Sequence, residues 1–293
     1  MKHNPHGYWL EEAGAVEPLP ALDGGTDADV MVIGGGYTGM WTAWHLKALE
    51  PEARVVLLES GVCGFGPSGR NGGFCNVLWL SLPSMRRLWG AEKALAVARA
   101  AELAVEEIGA FCEEQEVDAW YSHGGYLKVS TAAAHDESSI EAVSACRELG
   151  EPEAAQELSP EQVAERVSSP LFRGGVFFPD AATVHPARLA LGLRRRLLDV
   201  GVEIFERTEV GRVRRRQDSV EANTAAGTVR AGRAVLAIGG AAKKIGGPLW
   251  GRLSIASSHV VITEPVPDLL EEIGWTGGEC ITDSRALVDY FRT

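Results

Sequence analysis

Asp29-Val-Met-Val-Ile-Gly-Gly-Gly-Tyr-Thr-Gly39, then a helix-patterned segment, then Arg54-Val-Val-Leu-Leu-Glu59: the reading of this stretch decides the fold. Val30 to Ile33 is an apolar run with no polar alternation, as expected of a parallel strand covered on both faces. Gly34, Gly36 and Gly39 follow at GxGxxG spacing. The first permits a tight turn, the second lets backbone approach a pyrophosphate, and the third lets the helix pack close to the strand. Gly39, Ala43, Leu46 and Leu49 fall on one helical face. Arg54–Leu58 reads as a second strand, and Glu59 stands where a carboxylate accepts from ribose hydroxyls, while the amides at the helix N-terminus face phosphates. With strand, helix, strand and acid in register, the stretch predicts a βαβ unit that binds a dinucleotide. A glycine-rich turn in an ordinary α/β domain is the plainer alternative.

Working outward, Ser60-Gly-Val-Cys-Gly-Phe-Gly-Pro-Ser-Gly-Arg-Asn-Gly-Gly-Phe74 is too rich in glycine for a regular element. Such a loop brings backbone N–H groups to a ligand, and Arg70 adds a fixed charge. Its place beyond the C-terminal end of a strand is where open α/β sheets bind ligands. Residues 1–28 read as an arm docked by Tyr8, Trp9 and Leu10. The chain has 293 residues, 45% hydrophobic and 23% charged, which suits a soluble globular protein. A net charge of −12 argues against nucleic acid or an anionic membrane as main partner. Cys63, Cys75, Cys112, Cys146 and Cys280 are scattered without a CxxC pair, so neither a metal site nor a disulfide framework is suggested. No apolar stretch reaches the length of a membrane span, and the N-terminus lacks an apolar signal core. The expected location is cytoplasmic.

Further along, a helix is expected over Ala91 to about Glu116, a strand pair at Tyr121–Ser130, and short helices at Asp136–Leu149 and Pro160–Val167, with Ser159 as N-cap of the second. Gly174–Phe178 reads as an apolar strand. This region lacks the βαβ rhythm and reads as a mixed-sheet lobe inserted into the nucleotide domain. Pro186 opens a return helix with Leu189, Leu193, Leu197 and Val200 on one face and Gly201 as terminator. A strand at Val202–Phe205 follows, then a small meander of Glu209–Arg215, Ser219–Asn223 and Thr228–Ala231, then a buried strand Ala234–Gly240. The run Arg212-Val-Arg-Arg-Arg is read as a solvated strand face rather than a nucleic-acid contact. Ser254–Thr263 is expected as a strand, Asp268–Ile273 as a helix, and Ala286–Arg292 as a last strand.

The Val-Ile-Gly-Gly-Gly-Tyr-Thr-Gly turn, Leu-Leu-Glu59, the Gly-Phe-Gly-Pro-Ser-Gly-Arg-Asn-Gly-Gly loop and His-Pro-Ala-Arg188 together resemble the FAD-dependent amine oxidoreductases, the family of D-amino-acid, glycine and sarcosine oxidases. The likeness is strongest to the γ-glutamylputrescine oxidase-like branch. The resemblance implies an α/β (α+β overall) fold: a Rossmann-like FAD-binding domain (29–118 and 185–250) with a substrate lobe (119–184 and 251–293). It implies FAD rather than NAD, although an NAD(P)-dependent reductase is an alternative on the fingerprint alone. Gly34, Gly36 and Gly39 would hold the pyrophosphate and Glu59 the adenosine ribose, with Tyr37, Thr38 and Ser60 also at the cofactor. Gly66, Ser68, Gly69, Arg70, Asn71, Gly72 and Gly73 would run towards the flavin. Val210 would pair its backbone with adenine, and Gly239 and Gly240 would close the site.

The implied chemistry is hydride removal from the carbon beside an amine of a small amine or amino acid, giving an imine that hydrolyses, with oxygen or another acceptor taking the electrons. Arg70 would stabilise charge near the flavin. Tyr290 and Arg292 lie on a strand that in relatives can line the substrate cavity, where Arg292 would pair with a carboxylate; a sheet-edge tyrosine and a solvated arginine are the alternative. His259 would approach the flavin, a structural histidine being the alternative. Pro67 departs from the alanine usual in relatives. The chain also ends at Tyr290-Phe-Arg-Thr293, inside an apparent strand, where relatives continue. The expectation is an N-terminal part of such an enzyme, with a catalytically incomplete FAD-binding fragment, needing a further segment or partner chain, as the alternative function.

Overall fold

The computed structural model describes residues 7–137, 139–241, 253–256, 258–285 and 287–293. In chain order its elements are α1 (Tyr8–Glu12), β1 (Gly24–Ile33), α2 (Tyr37–Leu49), β2 (Val55–Leu58), β3 (Phe74–Cys75), α3 (Leu82–Trp89), α4 (Ala91–Glu114), β4 (Tyr126–Val129), α5 (Ile140–Glu148), β5 (Gln156–Leu158), α6 (Pro160–Arg166), β6 (Gly175–Phe178) and β7 (Ala182–Thr183). There follow α7 (Pro186–Asp199), β8 (Glu203–Phe205), β9 (Arg212–Arg215), β10 (Val220–Asn223), β11 (Gly227–Leu236), α8 (Pro267–Glu272), β12 (Cys280–Asp283) and β13 (Tyr290–Phe291). The chain divides into two compact units. One comprises Met1–Asn71, Val117–Ala119 and Pro186–Val260; the other comprises Gly72–Glu116, Trp120–His185 and Val261–Thr293.

The first unit is built on a six-stranded sheet in the order β8-β2-β1-β11-β10-β9. Strands β8, β2, β1 and β11 run parallel, and β10 and β9 add an antiparallel edge. Val30–Ile33 and Val55–Leu58 are buried on both faces, the physical counterpart of their unbroken apolar runs. Strand β1 starts at Gly24, ahead of the expected Asp29, because Gly24–Ala28 pair in register with Gly227–Ala231. That same pairing makes one continuous β11 out of the expected third meander arm and the following strand. Its C-terminal half is only partly covered, and Leu236 is exposed. The buried residues of α2 are Gly39, Met40 and Ala43, whereas Leu49, placed on that face by periodicity, projects into solvent at the last turn.

The second unit carries a five-stranded mixed sheet, β13-β12-β4-β6-β5, and the pair β3-β7. One core contains Tyr126, Val176, Phe178 and Cys280 with Ala94, Ala98 and Val105 of α4 and Val143 and Cys146 of α5. On the alternate residues of the same strands, Leu127, Val129, Phe177 and Ile281 form a second core with Val163 and Val167. Residues 72–116, assigned by sequence to the nucleotide domain, lie with this unit because α4 packs its alanine stripe into the first of these cores. The expected strand pair at Tyr121–Ser130 is not a hairpin: Ser122 makes an isolated bridge to Thr183, and β4 pairs with β6 and β12. Among the described residues of Ser254–Thr263 there is no strand, and β13 is confined to Tyr290–Phe291. Ala286 and the expected domain boundary at 250 and 251 lie outside the described residues.

Ser159 caps α6 as the sequence predicts, accepting from Gln162 N while the Gln162 side chain returns to Ser159 N, a reciprocal capping box. Ser159→Ala removes the cap from this short helix and is expected to destabilise the chain by about 1 kcal/mol, read from the urea midpoint at unchanged slope. No helix among the described residues is long and apolar enough to cross a membrane.

Candidate functional site

Within the first unit, a cavity of about 460 Å³ opens at the C-terminal ends of β1, β2 and β11. Ile33, Leu58, Ala237 and Ile238 supply apolar walls, and glycines 34, 35, 36, 64, 66, 239 and 240 expose backbone to it. This is the ligand-binding edge of an open parallel sheet. Gly34 sits at φ +109°, and a Cβ there would lie 2.4 Å from the Ala237 carbonyl oxygen, so a side chain is excluded on both counts. A Cβ at Gly39 would lie 1.9 Å from the Gly34 oxygen, which is the close approach of α2 to the turn. Gly36 has φ −82°, ordinary backbone, and lines the cavity.

The turn is held by two side chains. Glu59 Oε2 accepts from Gly35 N at 2.7 Å, and Oε1 accepts from Gly61 N at 2.8 Å and from the Ser60 hydroxyl at 3.1 Å. Ser68 Oγ accepts from Tyr37 N at 2.9 Å and so caps α2 from 31 residues away. The Tyr37 hydroxyl donates to Pro186 O at 2.7 Å, tying α2 to the start of α7. A carboxylate has room for about four hydrogen bonds, so Glu59 keeps acceptor capacity towards the cavity. Its backbone is fixed as well: Glu59 N donates to Phe205 O and Thr208 N to Glu59 O, which brings Thr208, Glu209 and Val210 to the cavity wall.

Of the residues expected at a cofactor, Gly34, Gly36, Tyr37, Thr38, Glu59, Ser60, Gly66, Ser68, Val210, Gly239 and Gly240 line this one cavity. Val210 does so from the loop before β9 rather than from a strand, because the strand pairing begins at Arg212. Gly69, Arg70, Asn71, Gly72 and Gly73 do not line it. Gly69 is packed against the Gly64 carbonyl, and Arg70 is exposed. Asn71 Nδ2 donates to Pro67 O and Ser68 O, closing the 3₁₀ turn Pro67–Gly69, and its own carbonyl accepts from Trp9 Nε1.

In the second unit, a Cβ at Gly72 would meet the Tyr290 ring at 3.1 Å, and Tyr290 stands edge-on to Phe74 at 5.8 Å between centroids. Arg292 Nη1 donates to Val184 O at 2.6 Å and to Gly73 O at 3.4 Å, and burial lowers its pKa from the usual value. Both of these acceptors are backbone carbonyls. His259 is exposed in a stretch with neither helix nor strand.

Sequence reasoning missed a buried ion pair that anchors the site. Glu206 is fully buried and accepts from Arg194 Nε at 2.7 Å and Nη2 at 2.9 Å, from Cys63 N at 2.9 Å and from Leu19 N at 2.7 Å. Burial pushes its carboxyl up, but Arg194 and the two amides outweigh that and hold it below the usual carboxylate value. Gly64, next to the Cys63 so anchored, donates to Gly35 O at 2.8 Å, so the network reaches the cavity wall. Burial and the neighbouring Glu206 push the Cys63 thiol far up, which leaves it unreactive at neutral pH.

A sequence profile of the FAD dependent oxidoreductase (DAO) family matches residues 29–293. The probable oxidoreductase OrdL of Rhizobium meliloti is 28% identical over 98% of this chain and 66% of its own. The gamma-glutamylputrescine oxidoreductase of Escherichia coli is 26% identical over 100% of this chain and 68% of its own. In structure, the L-amino acid deaminase from Proteus myxofaciens superposes with a TM-score of 0.64 at 21% identity, over 78% of this chain and 49% of that one, a likeness of fold. The chain thus spans about two thirds of the length of these curated relatives. On the family profile, which covers both units, this chain belongs to the FAD dependent oxidoreductase family.

Proposed function

We propose that the first unit holds FAD in the cavity at the ends of β1, β2 and β11, and that the protein oxidises a small amine or amino acid at the carbon beside nitrogen, passing electrons to oxygen or another acceptor. The observation that carries this is the convergence on one cavity of the α2 N-terminus, the Glu59 carboxylate and the Ser68 turn. The residues fit the cofactor. Among the described residues the charged groups lining the cavity, Glu59 and Glu209, are both acidic, and the backbone amides and dipole of α2 are what that lining offers a pyrophosphate. Glu59 would accept from the ribose, the Val210 backbone would serve the adenine, and Gly239 and Gly240 would allow close approach, all of them lining the cavity.

Bound FAD supplies the hydride acceptor, and the oxidised substrate leaves as an imine that hydrolyses. The part of the chain is positioning: Ser68 and Asn71 set the loop, from which Gly69 to Gly73 continue with Arg70 as the nearby cation. Arg292 holds Gly73 and Val184, with Tyr290 packed on Gly72, and His259 is the histidine proposed for the substrate. The gamma-glutamylputrescine oxidoreductase relative supports the amine class. The five free thiols suit the reducing cytoplasm as the place of action. Anaerobic addition of glycine, sarcosine, D- and L-amino acids, free diamines and γ-glutamylated diamines to the FAD-loaded protein tests the reading. Bleaching of the flavin band by one class is expected; an FAD-bound protein that none of them reduces would refute the amine assignment.

A further inference from the structure

A second cavity, of about 490 Å³, lies wholly in the second unit, at the end of the β4-β6 pair where β4 finishes and β6 begins. That size is within the range of small-molecule sites. Lys128 lines it from β4, half-buried, on the strand face shared with Tyr126. Its one hydrogen bond among the described residues is a long one, 3.4 Å to Asp283 O. Ser139, 6% exposed, also lines the cavity at the N-terminus of α5, and its hydroxyl makes no hydrogen bond with the described residues. Nor does His135 Nδ1, buried in the same wall. Arg147 of α5 stands on the exposed rim.

The acids of the cavity are differently placed. Asp136 is closed by the Arg173 fork and the Ser130 hydroxyl, which hold its pKa down at about 2. Glu137 and Glu157 are exposed and belong to the rim. The floor therefore carries a desolvated ammonium, a buried hydroxyl and a buried ring nitrogen with unused bonding capacity, and no unpaired carboxylate. A buried polar group without a partner carries a desolvation penalty, which a ligand oxygen relieves. We propose that this cavity is a binding site for a small organic oxyanion, a carboxylate or a phosphate ester, whose oxygens are taken by Lys128 and Ser139 on the floor and Arg147 at the mouth.

Calorimetric titration of the FAD-loaded protein with succinate and, separately, with inorganic phosphate tests this, and competition between them identifies the preferred headgroup. Saturable binding of at least one is expected, weakened about tenfold or more by Lys128→Gln and by Arg147→Gln, the latter an exposed change that spares the fold. Ser139→Ala should weaken it to a smaller extent. Arg99→Gln, at a surface arginine paired with Glu151 outside the cavity, should leave it unchanged. Absence of saturable binding for both probes overturns the site. Binding insensitive to both Lys128→Gln and Arg147→Gln overturns it too by placing the anion elsewhere.

Discussion

Gly36→Val is expected to abolish FAD retention, by about a hundredfold or more in affinity, while the chain still unfolds cooperatively near the urea midpoint of the parent. Position 36 has extended backbone that a β-branched residue adopts freely. A Cβ there meets Ser68 Oγ at 3.0 Å, so the hydroxyl must give way and its bond to Tyr37 N is weakened, a loss of about 1 kcal/mol. The isopropyl group, however, is added at a position that lines the cavity beside the N-terminal amides of α2. Gly34 and Gly39 make the useful contrast. Alanine at either runs into backbone carbonyl at 2.4 Å or less, so those changes should lower stability and flavin binding together. Equilibrium FAD titration beside urea unfolding separates the two classes. A Gly36→Val chain that binds FAD like the parent would remove the phosphate cradle from this turn.

The second large effect is expected at the Arg194–Glu206 pair. Glu206→Ala leaves a nine-tenths buried guanidinium and the amides of Leu19 and Cys63 without their acceptor. Breaking a buried pair from one side costs roughly 3–5 kcal/mol, and the Tm should fall by roughly 10 °C. Arg194→Met with Glu206→Leu removes both charges and should cost less than either single change, a sign of desolvation rather than net attraction. Glu206 also sets an acid sensitivity. Its folded pKa is depressed, so its contribution is present above the unfolded carboxyl value of about 4.3 and is lost as pH falls through the folded value. The parent should lose more stability than the double variant on acidification below that value, measured by urea midpoints across the acid range.

What the sequence could and could not show follows from the range of the interactions. Strand β1, α2 and strand β2 are legible because every determinant is local: the apolar runs, the glycine spacing and Glu59 all fall within one βαβ stretch. The capping box of α6 is legible for the same reason. Leu49 misleads because periodicity does not say where a helix leaves its sheet. Ser254–Thr263 has a strand-like composition, but composition does not supply the paired neighbour a strand needs, and β13 is limited to the two residues that pair with Ile281 and Thr282. Glu206 reads as one more surface acid in Phe-Glu-Arg-Thr until folding brings Leu19 and Cys63 to it, 187 and 143 residues away. The capping of Tyr37 by Ser68 and the placing of Arg70 outside the cavity are likewise set by how the glycine loop folds back.

The most direct test of the central claim is the absorption spectrum of the purified chain after incubation with FAD and removal of free cofactor. A bound flavin spectrum, stoichiometric with the chain and absent from the Gly36→Val variant, is the predicted result. A colourless parent chain, or equal retention by parent and variant, would contradict FAD binding at the α2 turn.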